Sequence, residues 1–197
     1  MKKNNKITET RSQRLSDRAV KLKSAALKGK RVAVAVCGGV ASVEVVKIIR
    51  ELRRYQASVT AFFTPDVKKF ITELPVEWAC GSKVVTEPQA DVDHLENFDV
   101  VVVVPATWNT IAKSALGISD NVVTLLISSQ LGKKGKLLFV PAMNLSLWQH
   151  PLFEQYQKTL ESWGAIFVVS ENEEDRIKIP SPEKVGLKVV QLVSNKK

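Results

Sequence analysis

The stretch that most constrains the fold is DVVVVV at residues 99–104. Its consecutive β-branched valines favour a strand over a helix. With no polar alternation, neither face of that strand can be left to water. Shorter apolar runs recur along the chain: RVAVAV (31–36), SVTAFF (58–63), KLLFV (136–140) and AIFVV (165–169). Between them lie stretches with helical spacing. SVEVVKIIRELRRY (42–55) carries Val45, Val46, Ile49 and Leu52 on one stripe, and further helices are expected over 108–116, 121–130, 148–162 and 182–194. A short helix capped by Asp66 is expected at DVKKFI (66–71). Strands alternating with helices predict a parallel, doubly wound α/β sheet with helices on both faces.

Composition bounds the rest. At 197 residues, 45% hydrophobic and 25% charged, the chain reads as one globular domain. Its apolar runs are far shorter than the ~20 residues that span a bilayer. No apolar region follows the basic amino end, as a secretory signal would require. Two widely spaced cysteines, Cys37 and Cys80, suggest no metal site and fit a reducing cytoplasm. The net charge of +9 sits mostly in the first 30 residues, which hold ten Lys or Arg against Glu9 and Asp17. The expected division is therefore a basic extension, 1–29, and a folded domain, 30–197. Leu15, Ala19, Leu22 and Ala26 have helical spacing within the extension. No aromatic residue interleaves its charges, so a nucleic-acid arm is not the favoured reading.

In a doubly wound sheet, ligands bind beyond the carboxyl ends of the strands, near the point where strand order reverses. That rule selects Cys37–Ser42, Thr64–Asp66, Pro105–Thr110 and Pro141–Asn144, all small, polar or proline-rich. CGGVAS closes the first strand, and its glycines let the backbone approach an anion at a helix start, with Ser42 as the expected cap. The spacing is not G-x-G-x-x-G, which removes the dinucleotide fingerprint and leaves two readings, a tight strand-to-helix turn or a site for a mononucleotide phosphate. Thr107, Asn109 and Thr110 add amide and hydroxyl groups after Pro105, which is expected to stop the strand.

PATWNT (105–110), then SDN (119–121) and PAMNLSLW (141–148), resemble the PASANT motif and the P-x-M-N-x-x-M-W clamp of the flavin-containing cysteine decarboxylases. That family includes phosphopantothenoylcysteine decarboxylases and peptidyl-cysteine decarboxylases. The resemblance covers roughly residues 30–170. It implies a flavodoxin-like fold, a trimer-based homo-oligomer and FMN bound between subunits. It also implies FMN contacts from Gly38, Gly39, Val40, Ser42, Thr64, Asp66, Thr107, Trp108, Asn109, Thr110 and Ala142, and substrate contacts from Met143, Asn144 and Trp148. His94, one short segment before the PASANT-like strand, matches the family's base; imidazole, with an unperturbed pKa near ~6.5, suits proton transfer at neutral pH.

The implied reaction is FMN-dependent loss of CO2 from a cysteine-derived carboxylate, after oxidation of the thiol side creates an electron sink. The sequence departs from the family at Trp108, Leu147 and Glu44. It also lacks a flap cysteine in SENEEDRIKIPSPEKVG (170–186). Three readings follow: a phosphopantothenoylcysteine decarboxylase-like enzyme, an oxidative peptidyl-cysteine decarboxylase that needs no such cysteine, or a non-catalytic FMN-binding regulatory subunit.

Overall fold

The computed structural model describes residues 17–88, 97–170, 172–173 and 175–194. Its centre is a parallel sheet of β1 (Arg31–Val36), β2 (Ser58–Phe63), β3 (Val100–Ala106), β4 (Lys136–Pro141) and β6 (Ala165–Phe167), in the order β2-β1-β3-β4-β6. β5 (Met143–Asn144), β7 (Asn172–Glu173) and β8 (Arg176–Ile177) form a small antiparallel sheet in the order β5-β8-β7.

Side chains alternate across a strand, so each strand feeds two cores. Val32, Val34 and Val36 of β1, with Val100, Val102 and Val104 of β3, pack under α1 (Val45–Arg54), α2 (Glu73–Cys80) and α7 (Pro182–Ser194). Ala33, Ala35, Val101 and Val103 face α3 (Trp108–Ala115), α4 (Val122–Gly132) and α6 (Phe153–Ser162). Every residue of β3 is buried, which is why its valine run shows no polar period. The doubly wound α/β architecture expected from the sequence is the one observed.

Local details differ from expectation. Residues Val40–Glu44 form a 3-10 turn before α1, and Ser42 is buried inside it without a capping bond. Asp66 does not cap an α-helix; Pro65–Lys69 is another 3-10 turn, with Thr64 at its N-cap position. α2 follows and was not expected, its stripe being weak and interrupted by Pro75. Pro105 does not end β3; having no N–H, it is accommodated by a register shift between Val103 and Ala106. The helix expected over 148–162 begins only at Phe153, as α6; a separate short helix, α5 (Leu145–Trp148), precedes it, and residues 149–152 between them are not helical.

Residues 17–30 are turns and extended chain rather than helix. Lys23 and Leu27 donate backbone N–H groups to Arg54 and Tyr55 carbonyls at the end of α1, at 2.8 and 2.9 Å. Leu27 is fully buried, and Lys23 pairs with the buried Glu51 at 2.5 Å. These tertiary bonds to α1 displace the local Leu22–Ala26 stripe, leaving Leu22 exposed. No described helix is long and apolar enough to cross a membrane.

Candidate functional site

Strand order reverses between β1 and β3, and the loops leaving their carboxyl ends diverge there. The result is a cleft of about 930 Å3. It is lined by Gly38–Ala41 after β1, Thr64–Asp66 after β2, Thr107–Thr110 after β3 and Ala142–Asn144 after β4. All the selected strand ends therefore converge.

The floor is tightly tied. The Gly38 N–H donates to Thr64 Oγ1 at 3.1 Å, while the Thr64 N–H donates to the Val36 carbonyl at 3.0 Å. A Cβ on Gly38 would lie 2.6 Å from Asp66 Cβ and 2.9 Å from its carbonyl carbon, so only glycine fits. Thr107 Oγ1 lies 3.3 Å from Thr110 Oγ1 and occupies the N-cap position of α3 without capping it. Ser42 lies behind the wall, fully buried, and its hydroxyl has no protein hydrogen-bond partner. Burial pushes the thiol of Cys37, under the Thr107–Thr110 turn, up to about 11, against hydrogen bonds from those threonines.

The fourth wall is built on the first residues of PAMNLSLW. Met143 and Asn144 pair antiparallel with Ile177 and Arg176. The Leu145 N–H donates to the Asp175 carbonyl at 2.9 Å and holds the pair together. Asn144 is exposed and Met143 half-buried. Trp148 does not line the cleft: its ring packs on Phe153 at 4.2 Å between centroids. Trp108 does line it, and its ring also packs on His150 at 4.5 Å, Tyr156 at 5.6 Å and Phe153 at 6.0 Å between centroids. His94 lies outside the described residues.

The Flavoprotein family model matches residues 20–194. The chain belongs to the Flavoprotein family. It is 34% identical to the coenzyme A biosynthesis bifunctional protein CoaBC of Thermococcus kodakarensis, over 86% of this chain and 43% of that protein. To the CoaBC of Methanocaldococcus jannaschii it is 31% identical, over 88% of this chain and 43% of that protein. It thus spans less than half the length of these curated relatives. A PPC decarboxylase mutant complexed with pantothenoylaminoethenethiol shares the fold, with a TM-score of 0.76 at 21% identity, covering 84% of this chain and 99% of that one. The epidermin biosynthesis protein EpiD from Staphylococcus aureus aligns with a TM-score of 0.65 at 27% identity, covering 81% of this chain and 99% of that one.

This Flavoprotein-family cleft has lining residues beyond those expected. Lys113, Asp120 and Asn121 contribute from α3 and the start of α4, and Arg176 with residues 177–182 contributes from β8 onward. Lys113 was within reach of sequence reasoning, since it lies one helical turn after Asn109 on the same face. Asn121 caps α4, accepting from the Val123 and Thr124 N–H groups at 3.0 and 3.1 Å. Lys113 pairs with Asp120 at 2.5 Å and holds that carboxyl below its ordinary range. The β8 wall had no such signal, because its pairing with β5 is a long-range contact.

Proposed function

We propose that this chain binds FMN in the cleft and decarboxylates a cysteine-derived carboxylate, with phosphopantothenoylcysteine as the substrate. The observation that carries the reading is the buried, unpartnered Ser42 hydroxyl inside the turn whose Gly38–Ala41 backbone lines the cleft. A buried hydroxyl without a partner costs free energy, and a phosphate is rich in acceptors for it. The residues present therefore fit the cofactor. Gly38, Gly39, Val40 and Ser42 would hold its phosphate side, and Thr64, Asp66, Thr107–Thr110 and Ala142 would flank the remainder. When bound, the flavin supplies a two-electron acceptor for the substrate's thiol end, so that the electron pair released with CO2 has an adjacent sink. The relatives named for coenzyme A biosynthesis support this choice of substrate.

The chain's own residues would do the rest. The Asn144 amide orients the substrate by hydrogen bonds, Met143 shields it from water, and Trp148 braces the clamp through Phe153. His94 moves the proton, as an imidazole is suited to do at neutral pH. A homo-oligomer, trimer-based, completes the proposal. In its support, Val40, Val43, Phe70 and Leu116 are apolar and exposed, with Val40 at 75%. Both cysteines are free thiols, which fits a cytoplasmic setting.

One observation favours a second reading. No cysteine lines the cleft among the described residues; Cys37 is buried, and Cys80 belongs to the α1–α2 side. An oxidative decarboxylation that stops at an enethiol, as in the peptidyl-cysteine reading, needs no cleft thiol but does need an external electron acceptor.

FMN titration of the purified chain tests the cofactor: saturable binding is expected, and a protein that remains colourless would overturn the proposal. Product masses then separate the readings by loss of CO2 with or without two further hydrogens. His94→Asn is expected to abolish CO2 release and keep the yellow colour; unchanged turnover would remove His94 from the reaction.

A further inference from the structure

Charge along the cleft is mostly compensated. Glu44 pairs with Lys47 at 2.8 Å, Asp66 with Lys69 at 2.5 Å, and Lys113 with Asp120 at 2.5 Å. Arg176 breaks the pattern. It lines the same cleft, is exposed, and has no acidic partner among the described residues.

Its position is fixed by pairing. Arg176 lies directly opposite Asn144 in the β5–β8 pair. Residues so placed share one face of the sheet, with Cβ atoms about 4.5–5.5 Å apart. Ile177, the next residue, is buried, and the Leu145–Asp175 bond closes the pair from the other end. The guanidinium therefore starts beside the amide assigned above to the substrate. It carries five donors and no acceptor, in a planar fork that matches phosphate or carboxylate oxygens. Lys178, two residues on, also lines the cleft and adds positive charge to this wall.

We propose that Arg176 is a specificity-determining residue that binds a phosphate monoester at the end of the substrate remote from its cysteine. The inference rests on the cysteine-decarboxylase reading of the cleft. The other anion within that substrate is the cysteine carboxylate. It must leave as neutral CO2, and a fixed cation paired with it would stabilise the ground state and oppose its departure. A remote phosphate keeps its charge throughout the reaction, so binding it lowers KM without that penalty.

The test compares phosphopantothenoylcysteine with pantothenoylcysteine, using FMN-loaded full-length protein, Arg176→Ala and Arg176→Lys, and reads CO2 release. The wild type is expected to favour the phosphorylated compound by roughly tenfold to hundredfold in kcat/KM, the range for a hydrogen bond to a charged group. In Arg176→Ala that ratio should fall toward one, through KM of the phosphorylated compound. Arg176→Lys should lie between, keeping the charge and losing the fork. Flavin absorbance and melting temperature, matched between variants, show that the fold is intact. A wild-type ratio near one, or a ratio unchanged in Arg176→Ala, would overturn the inference alone. A wild type that releases CO2 from neither compound would sink the parent reading and this inference with it.

Discussion

The two sides of the cleft are built differently. On the β1–β2 side, Gly38 has no room for a methyl group, Thr64 locks the turn through two hydrogen bonds, and Ser42 and Cys37 are wholly buried. On the β5–β8 side, Asn144 and Arg176 are exposed and rest on a two-residue antiparallel pair. The first side is determined by the packing of the sheet itself. The second presents functional groups that the core does not need. Substitutions on the floor should therefore disturb fold and cofactor together, whereas those on the rim should disturb substrate choice.

The strongest test of that contrast is Gly38→Ala. The added methyl meets Asp66 backbone, which cannot swing aside like a flexible side chain. Overpacking of this kind costs about 1–3 kcal/mol. A lower melting temperature together with weakened FMN binding is expected; a variant unchanged in both would show that the floor is looser than its geometry implies.

The next effect is alkaline. The Cys37 thiol is raised from 9.0 to about 11 by burial, so the neutral form is favoured in the folded state. Its contribution is complete below the unfolded value and is lost as pH rises through the folded one. Stability should therefore decline between pH 9 and about 11, and Cys37→Ala should flatten part of that decline in denaturant titrations. Cys80, pushed up by burial to about 12, keeps its own share in that variant.

Ser42→Ala gives a smaller effect with opposite signs on its two readouts. Removing an unsatisfied buried hydroxyl should leave the apo protein as stable or raise its stability by up to about 1 kcal/mol. FMN affinity, measured by fluorescence titration, should fall. Loss of apo stability instead would mean that the hydroxyl is satisfied in the free protein. The smallest effect on stability belongs to Arg176→Ala, within about 0.5 kcal/mol as for other exposed positions. A large melting-point drop there would erase the distinction between floor and rim.

The parallel strands were legible because burial on both faces writes itself as unbroken apolar runs, and β3 is the extreme case. The converging strand ends followed from the sheet rule alone. Less legible were features decided by tertiary contact. The residues 40–44 look like the start of a helix, yet they tighten into a 3-10 turn against the floor. The Leu15–Ala26 spacing looks amphipathic, but Leu27 is the residue buried, because the backbone of 23–27 bonds to the end of α1. β8 has two residues and no periodicity of its own, so Arg176 gave no signal until the fold set it opposite Asn144. The break after α5 could have been read from Pro151, which disfavours helical backbone at His150.

The shortness of the β5–β8 pair bears on how the cleft is entered. β3 is supported by parallel partners on both sides, whereas β5 and β8 share two residue pairs. Opening free energies in native proteins track such local support, from near zero at lightly held segments to the global value in core strands. Amide protons of Met143 and Ile177 should therefore exchange with solvent well before those of Val101–Val103. Local opening of the β5–β8 wall should therefore cost less free energy than any disturbance of the floor.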